Sequence, residues 1–301
     1  MLSFDHSPGT WLDNAVDVAL NRLMSVLTIQ SRVARGYVGN SAAVPCLLAL
    51  GIEAIAVDTA YLSNHPAHGG FQGGPIPTGE IGAILEGIAS YRGLSDVRAI
   101  LSGFLGRPET GALVEETVLA LKADQAKVLY CLDPVMGDRD RLYVDRELVA
   151  FFRDRALPLA DMALPNAFEA GVLLGSATVT MERAKSAITA LRAKGPRRVV
   201  ITGIETGAGI ATVAGDPKGF WKVETPRLDA PASGAGDAFA ALLLGRLLTE
   251  RQTFGEAVAC AASSVHDLLS VTRARSMAEM AMAEGFDFIA NPESGFNAEP
   301  F

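Results

Sequence analysis

Short apolar runs alternate with longer amphipathic stretches over most of the chain. The apolar runs predict β-strands at residues 23–29, 52–57, 97–102, 127–132, 161–164 and 197–202. Between them, apolar positions with helical spacing predict helices at about 40–50, 78–91, 108–124, 145–154 and 180–194. Because strand, helix and strand repeat along the chain, we predict an α/β fold with a mostly parallel central sheet and helices on both faces.

The pattern changes near residue 207, where two strand-like runs follow one another without a helix between them. These runs, at 207–215 and 219–225, predict an antiparallel hairpin. Further helices are then predicted at 235–250, 255–271 and 276–284.

No Pro/Ser-rich linker or block of charge divides the chain, so we expect a single domain at 23–287. We expect an N-terminal extension at 1–22, with an amphipathic helix at 10–22 that Thr10 would cap. Residues 288–301 are expected to form a loose C-terminal tail.

Composition narrows the possible functions. The 301 residues are 49% hydrophobic, which is enough for a sizeable core, and the net charge of −8 argues against general binding to nucleic acid or anionic membranes. The three cysteines are far apart and odd in number, which argues against a disulfide framework or a zinc site. No apolar run approaches the ~20 residues that span a bilayer. We therefore expect a soluble, cytoplasmic protein.

Polar residues come directly after most of the predicted strands. They are QSR after the first strand, DTAYLSNH after the second, DPVMGD after the fourth, PNAFE after the fifth and TG after the sixth. In an open parallel sheet, ligands bind at the carboxyl ends of the strands. We therefore expect a ligand site at this edge of the sheet.

The motif SGAGD, at 233–237, places two glycines before an apolar stretch with helical spacing. As a structural feature it is a glycine turn capped by an acid, since Asp near a helix N-terminus is favourable by ~0.3–1 kcal/mol. As a functional feature, backbone N–H groups from Ser233 through Asp237 would bind phosphoryl oxygens. Asp237, kept ionised by the helix end, would then accept the proton of an attacking alcohol. The residues alone leave both interpretations open.

The motif PNAFEA contains Asn166 and Glu169 at the spacing of a capping box, with Asn as the N-cap and Glu as the third helical residue. In the alternative interpretation, Glu169 helps to hold the Mg²⁺ of a nucleotide, directly or through water, because Mg²⁺ prefers carboxylates and phosphate oxygens. One helix start is compatible with both roles.

Two further loops contain candidate site residues. Asp-Pro and Gly-Asp in the DPVMGD loop are ordinary turn pairs, but Asp133 follows a strand and can approach a cation, and the charged stretch 138–141 suits a mobile cover over a nucleotide. In the glycine-rich segment 62–74, a surface loop is the simpler explanation for His68. His65 lies just beyond a strand, where an imidazole can meet a polar ring substituent.

Several motifs together resemble those of pyridoxal kinases, within the ribokinase-like superfamily. In chain order from about residue 25 to 285 they are IQSRVARGYVGNSAAVPCLLALG (29–51), LSNH (62–65), LSGFLG (101–106), DPVMGD (133–138), LYV (142–144), LADMALPNAFEAGVLL (159–174), GPRRVVIT (195–202) and GAGDAFAALLL (234–244). IQSxVxxGYVGN and SNH are specific to the pyridoxal branch, whereas GAGD indicates only a ribokinase-like chain. The resemblance implies a single-domain three-layer α/β/α sandwich.

The resemblance also implies residue roles. Asp237 matches the catalytic base, and the anion hole around the γ-phosphate is formed by Ser233, Gly234, Ala235 and Gly236. Nucleotide and metal positions are Asp133, Asn166, Glu169 and Thr202, and lid positions are Asp138 and Tyr143. Substrate positions are Ser31 against the pyridine ring, Val38 beside it, His65 near the ring substituents, and Phe104.

The implied reaction is ATP-dependent phosphorylation of the 5′-hydroxymethyl group of pyridoxal, and also of pyridoxine and pyridoxamine, in vitamin B6 salvage. The family resemblance implies MgATP as the phosphoryl donor, a monovalent cation such as K⁺, and a cytoplasmic homodimer. Two alternatives stay open. One is a hydroxymethylpyrimidine or sugar kinase of the same superfamily, against which Ser31 and His65 stand. The other is a non-catalytic binder of pyridoxal phosphate, against which Asp237 stands.

The chain departs from the family pattern at five positions. On the substrate side, Arg32 replaces a frequent His, Pro66 stands where Thr is expected, and Phe104 occupies a common Tyr position. These changes leave the preferred B6 vitamer open. Ala235 replaces the Thr often found between the two glycines, which removes a hydroxyl but keeps the backbone donors. Leu164 replaces a Thr of some relatives, which weakens the case for a tight monovalent cation site.

Overall fold

A largely parallel sheet organises the chain, of which a computed structural model describes residues 24–249 and 252–301. Its strands are β1 (Ser25–Val33), β2 (Glu53–Leu62), β3 (Gly73–Pro75), β4 (Val97–Ser102), β5 (Leu129–Leu132), β8 (Met162–Ala163), β9 (Arg198–Glu205), β10 (Gly209–Asp216), β11 (Gly219–Pro226) and β12 (Glu299–Pro300). A separate hairpin consists of β6 (Gly137–Asp138) and β7 (Arg141–Leu142). The predicted helix at 10–22 lies outside the described residues.

Helices connect the strands and cover the sheet. They are α1 (Asn40–Ala49), α2 (Thr78–Arg92), α3 (Pro108–Asp124), α4 (Arg146–Phe151), α5 (Ala167–Leu174), α6 (Ala184–Arg192), α7 (Ala235–Leu248), α8 (Phe254–Ala274) and α9 (Phe286–Ala290). A π-helical stretch and one further turn extend α4 to Leu159, and short 3₁₀ turns lie at Pro66–His68 and Met181–Arg183. Among the described helices, none has both the length and the apolar character to cross a membrane.

The strand order across the sheet is β12-β11-β10-β9-β8-β5-β4-β1-β2-β3. The strands from β9 to β2 pair in parallel, so the predicted parallel sheet is confirmed. The predicted hairpin is also confirmed, since β10 pairs antiparallel with β11, for example Ala214 with Trp221. β3 and β12 add antiparallel edges at the two ends.

Two apolar layers lie on opposite faces of this sheet. One buried cluster joins the sheet to α2 through α6, with side chains such as Val114, Leu173 and Ile188. The second joins it to α1, α7 and α8, with side chains such as Leu47 and Leu242. The chain is therefore a three-layer α/β/α sandwich, as predicted.

The predicted helix at 276–284 is wrong. Helix α8 ends at Ala274, where Ser276 adopts a left-handed conformation with φ of 49° and the N–H of Met277 donates to the carbonyl of Thr272. This is a Schellman-type end, which turns the chain out of the helix. The apolar positions that suggested a helix are buried in an irregular segment, in which Met280 and Met282 are each 1% exposed.

The C-terminal residues do not form the loose tail that the sequence suggests. Glu299 and Pro300 pair with Lys222 and Trp221 of β11, and the N–H of Phe301 donates to the carbonyl of Phe220 at 2.9 Å. The ring of Phe301 packs against the first core cluster. The end of the chain therefore extends the sheet.

Strand β1 is longer than predicted and changes the position of the first polar group. It continues to Val33, so Gln30, Ser31 and Arg32 lie within its last residues and not in a loop after it. The loop from residue 34 to 39 then leads into α1. This loop approaches the start of α7.

Candidate active site

The start of α7 is pressed against the loop that follows β1. Gly234, the N-cap of α7, has φ of +86°, and a Cβ at this position would collide with the carbonyl oxygen of Tyr37. Both the left-handed conformation and the close approach require glycine. The glycine of the SGAGD motif therefore brings residues 36–39 and 233–237 into direct contact.

Asp237 lies in the first turn of α7 and is half-buried. Burial raises the pKa of its carboxyl to about 6, while the backbone N–H groups of Gly39 and of Asp237 itself lower it. The net shift is therefore upward, opposite to the effect expected from the helix end alone. A carboxyl with this pKa is still mostly ionised at pH 7, and a general base works best with a pKa near the operating pH.

The backbone donors around Asp237 are fewer than the motif suggests. The N–H of Ala235 donates to the carbonyl of Ala232 at 3.0 Å, so the expectation that every N–H from 233 to 237 is available is wrong for Ala235. No acceptor for the N–H groups of Ser233, Gly234 or Gly236 is found in the described part of the chain. These donors and the helix N-terminus attract an anion.

Two further carboxyl groups belong to this region, since Asp133 lies close to both Asp237 and Glu169. Asp133 follows β5 and is buried, and its pKa is raised well above the usual range by burial, then by the charges of Glu169 and Asp237. Burial also raises the pKa of Glu169, at the start of α5, to about 7. The three predicted acids thus lie at one edge of the sheet, where their negative charges repel one another.

Glu169 completes the capping box that the sequence predicts. Its backbone N–H donates to Oδ1 of Asn166 at 2.9 Å, and its Oε2 accepts the N–H of Asn166 at 2.9 Å. Its Oε1 accepts the N–H of Met136 at 2.9 Å and that of Gly137 at 3.4 Å. Both carboxylate oxygens are therefore engaged by the backbone, which ties α5 to the β6–β7 hairpin.

Asn166 and Thr202 lie side by side, because they form an isolated parallel bridge between the start of α5 and β9. The side-chain amide of Asn166 donates to the carbonyl of Gly137 at 2.8 Å. The N–H of Thr202 donates to the carbonyl of Pro165 at 3.1 Å. The two residues therefore border the acidic group from the side of β9.

The acidic group suits a divalent cation whose main ligands come from elsewhere. Among residues 24–249 and 252–301, no three His, Cys, Asp or Glu side chains are arranged to chelate a metal by themselves. The oxygens of Glu169 are already engaged, whereas the buried charges of Asp133 and Asp237 repel each other and would be stabilised by a cation. Phosphate oxygens and water, which Mg²⁺ retains readily, fit the remaining coordination.

Of the two predicted lid residues, Asp138 lies in β6 and Tyr143 directly follows β7, where its N–H donates to the carbonyl of Met136 at 3.0 Å. The tight turn of the β6–β7 hairpin has positive φ at Arg139 (49°) and Asp140 (60°), and the side chain of Asp138 is exposed. The ring of Tyr143 is 54% exposed, yet its pKa is raised by burial, then by Glu169 and other nearby carboxylates. The hairpin therefore holds Tyr143 next to the acidic group.

Two predicted substrate positions lie close together, Ser31 near the end of β1 and Val38 in the loop 34–39. Ser31 is buried, and a Cβ at Gly39 would collide with the carbonyl oxygen of Ser31. Val38 is buried beside Gly39, and its carbonyl accepts the N–H of Ser41 at 3.1 Å. Gly39 thus links Ser31 on one side to Asp237 on the other.

His65 caps the 3₁₀ turn that begins at Pro66. Its Nδ1 accepts the N–H of Ala67 at 3.3 Å and lies 3.5 Å from Oγ of Ser233. The pKa of His65 is lowered, mainly by burial and also by His68. A neutral His65 with Nδ1 as acceptor carries its proton on Nε2, so Nε2–H is the free donor.

Phe104 is the predicted site residue with the weakest connection to the others. It follows β4, its carbonyl accepts the hydroxyl of Thr59 at 2.6 Å, and its ring lies near Gly106. Among the described residues, no hydrogen bond joins it to Ser31 or His65.

A buried polar network under the substrate side was not predicted. The side-chain amide of Asn40 donates to Asp58 at 2.7 Å, its Oδ1 accepts the hydroxyl of Thr28 at 2.9 Å, and Thr28 accepts from Gln30 at 2.8 Å. Arg32, one of the residues that depart from the family pattern, reaches Asp58 at 3.8 Å. The available signal was Asn40, a polar residue at the start of an apolar helix.

The contact of Gly39 with Asp237 was also missed. Its signal was the pair of glycines, Gly36 and Gly39, in GYVGN, both of which have positive φ. A separate cavity of about 640 Å³ lies at the far end of α7, lined among others by Trp221, Arg246 and Phe296. It contains none of the predicted site residues.

Comparisons with known proteins agree with this geometry. Residues 41–281 match the family model for phosphomethylpyrimidine kinase. The pyridoxal kinases of Leifsonia xyli and Rubrobacter xylanophilus are 38% and 37% identical, over 91% of this chain and 98% and 96% of theirs. The structure of Leishmania donovani pyridoxal kinase with ADP and ginkgotoxin superposes with a TM-score of 0.85 at 28% identity, covering 92% of this chain and 99% of that one. The chain therefore belongs to the phosphomethylpyrimidine kinase family and, within it, to the pyridoxal kinases.

Proposed function

We propose that this protein transfers the γ-phosphoryl group of ATP to the 5′-hydroxymethyl group of pyridoxal, giving pyridoxal 5′-phosphate in vitamin B6 salvage. Membership of the family makes the protein an ATP-dependent kinase that acts on an alcohol group. The observation that carries the proposal is the position of Asp237, a carboxyl with a pKa of about 6 beside free backbone donors at the start of α7.

Asp237 acts as the general base in this proposal. Its carboxylate accepts the proton of the 5′-hydroxyl as the oxygen attacks the γ-phosphorus, and the O–P bond to ADP breaks on the opposite side. The N–H of Gly39 holds the carboxylate in place. A fixed, ionised base aligns the alcohol for in-line attack, which is the main contribution a protein makes to phosphoryl transfer.

The donors at the start of α7 bind the transferring group. The N–H groups of Gly234 and Gly236, with Ser233 beside them, provide a preorganised anion hole. Ala235 lies between the two glycines, but its N–H already donates to the carbonyl of Ala232. The remaining phosphates would extend along the sheet edge past Asn166 and Thr202, which form a bridge there. Such donors stabilise charge without reorganising during the reaction.

A divalent cation completes the nucleotide site, and we propose Mg²⁺. Asp133 would hold it, with Glu169 acting through water because its oxygens are engaged. When bound, the cation neutralises charge on the phosphate oxygens. A monovalent cation such as K⁺ would bind without a hydroxyl ligand from position 164, since Leu164 is buried where some relatives carry a hydroxyl. The hairpin with Asp138 and Tyr143 would cover the nucleotide and exclude water.

The pyridine ring would lie between β1 and the turn at Pro66–His68. Ser31 would hydrogen-bond the ring, Val38 would contact its face, and Nε2–H of His65 would donate to an oxygen substituent of the ring. Phe104 would close the far side with an aromatic ring that lacks a hydroxyl. Because Arg32 reaches Asp58, its charge is partly compensated before substrate binds.

We also propose that the protein works in the cytoplasm as a homodimer. All three of its cysteines are free thiols, which fits a reducing compartment. Helix α2 exposes Ile84 (46%) and Tyr91 (84%), apolar side chains that an interface would cover. Size-exclusion chromatography with light scattering tests the dimer, and an Ile84→Asp variant should shift the protein towards monomer if α2 lies in the interface.

The proposed activity is tested by incubating the purified protein with MgATP and pyridoxal, pyridoxine or pyridoxamine, and following the phosphorylated product. We expect rapid phosphorylation of pyridoxal, and a loss of several orders of magnitude in kcat for Asp237→Asn while nucleotide binding is kept. An unchanged rate in the variant would remove Asp237 from the mechanism. Binding of pyridoxal phosphate without turnover in the unmodified protein would favour the non-catalytic alternative.

Hydroxymethylpyrimidine is a second candidate substrate, because the matching family model describes phosphomethylpyrimidine kinase. The decisive quantity is the ratio of kcat/KM for the two alcohols. A higher kcat/KM for pyridoxal supports the proposed function, whereas a higher kcat/KM for the pyrimidine would make hydroxymethylpyrimidine the main substrate.

A further inference from the structure

A carboxylate outside the predicted site lies between two loops of its substrate side. Glu279 belongs to the irregular segment after α8, and its side chain is 20% exposed. Its Oε1 lies 3.4 Å from Nε2 of His68. Its Oε2 occupies the space beside Gly36, where a Cβ would approach it to 2.6 Å. One carboxylate therefore touches both the 34–39 loop and the turn at Pro66–His68.

The loop that Glu279 touches also carries the partner of the catalytic base. Three residues after Gly36, the N–H of Gly39 reaches the carboxylate of Asp237. Between them, the carbonyl of Tyr37 is packed against Gly234. This short loop is thus confined on two sides, by the start of α7 and by Glu279.

The turn that Glu279 touches is capped by His65, a residue proposed to bind the substrate. His65 and His68 stand at the two ends of the turn, with ring centroids 6.1 Å apart in an edge arrangement. His65 in turn lies 3.5 Å from Oγ of Ser233. A shift of His68 would therefore be transmitted to His65 through one short turn.

The backbone next to Glu279 is held in place by burial and by a hydrogen bond to α8. Its neighbours Met280 and Ala281 are buried, and the N–H of Ala281 donates to Oγ1 of Thr272 in α8 at 2.9 Å. An isolated exposed ion pair contributes little to stability, because two long side chains must be ordered in water. Here the carboxylate is mostly buried and lies between the backbone of Gly36 and the ring of His68, so the cost of ordering it is lower.

We propose that Glu279 is a positioning residue. Together with His68, it fixes the position of the 34–39 loop relative to the Pro66–His68 turn, and so the shape of the site that binds pyridoxal. This inference rests on the proposed function and adds a specificity role to a residue in no recognised motif. Glu279 does not touch the reacting atoms. It acts through Gly36 and His68 on the placement of His65 and Gly39.

The test compares KM for pyridoxal with KM for ATP in Glu279→Ala, Glu279→Gln and His68→Ala. We expect Glu279→Ala and His68→Ala each to raise KM for pyridoxal about tenfold while KM for ATP stays within about twofold. Glu279→Gln keeps the shape and an acceptor for His68, so it should restore most of the loss. The double Ala variant should be no worse than either single variant, because the two residues act as one unit.

Glu284→Ala is the matched control, since Glu284 lies exposed on the same segment and should leave both constants unchanged. Equal rises in both KM values together with a lower Tm would show a merely structural role and overturn the proposal, as would unchanged values. If the unmodified protein does not phosphorylate pyridoxal, the proposed function fails. The positioning role is then tested by calorimetric binding of pyridoxal to the same variants, in which equal affinities would overturn it.

Discussion

At the scale of the residue, the chemistry depends on the balance of forces at Asp237. Burial pushes its pKa upward, and the N–H groups of Gly39 and Asp237 pull it back, so that it reaches about 6. The base is therefore ionised at neutral pH but not strongly stabilised as an anion. That balance favours accepting a proton in the transition state.

We expect kcat/KM for pyridoxal to rise as the pH increases through about 6. A carboxyl with a raised pKa is protonated, and inactive as a base, below that value and ionised above it, so activity is lost on the acid side. Initial rates across this range, with ATP saturating, give the apparent pKa. A profile that is flat through pH 6 would show that Asp237 is not the titrating base.

At the scale of the element, the start of α7 needs a glycine for its backbone shape at one position and open space at another, and the SGAGD motif provides both. Gly234 permits the left-handed N-cap and the contact with Tyr37, whereas a Cβ at Gly236 would meet nothing within 4 Å. The two glycines of SGAGD therefore have different structural roles. The first shapes the backbone, and the second leaves open space over a free N–H group.

Replacing each glycine by alanine separates these roles. We expect Gly234→Ala to lower stability and abolish activity, because it combines an unfavourable φ with a backbone collision. Gly236→Ala should instead raise the free energy of unfolding by about 0.5–1 kcal/mol, since alanine favours a helix. It should nevertheless raise KM for ATP, because its Cβ enters the space proposed for phosphate.

Urea unfolding and steady-state kinetics of both variants check this pair. Equal losses of stability would contradict the distinction between the two positions. An unchanged KM for ATP in Gly236→Ala would argue against phosphate binding at that point of the helix.

At the scale of the whole molecule, the end of the chain closes the sheet on the side away from β1. The two-residue β12 strand pairs with Trp221 and Lys222 at the outer edge of β11, and Phe301 reaches the core cluster, with Nζ of Lys185 4.8 Å from its ring centroid. At these two positions, the edge of β11 is not available for pairing with another chain.

We expect Phe301→Ala to lower the free energy of unfolding by about 1–2 kcal/mol, because the apolar contact of its ring is lost. Kinetic constants should not change, since Phe301 lies outside the proposed site. Phe286→Ala is the matched control: its side chain is 48% exposed, so its effect should be under about 0.5 kcal/mol. Equal effects of the two substitutions would mean that the C-terminal residues do not pack as described.

Much of the architecture was predictable because it is encoded locally. The strand runs, the hairpin and the capping box at Asn166 and Glu169 each depend on residues a few positions apart. The helix predicted at 276–284 failed for the opposite reason. Its apolar residues are buried by long-range packing, and Ser276 in a left-handed conformation had already ended α8.

Periodicity and turn chemistry act over short distances, so the α/β alternation, the parallel sheet and the order of the motifs could be read from the residues alone. Which groups meet depends on the folded chain: Gly39 contacts Asp237, His65 lies beside Ser233, and Glu279 lies between two loops. These contacts join residues up to 243 positions apart, from Gly36 to Glu279. Their geometry depends on how closely backbones approach, and therefore on the packing of the whole chain.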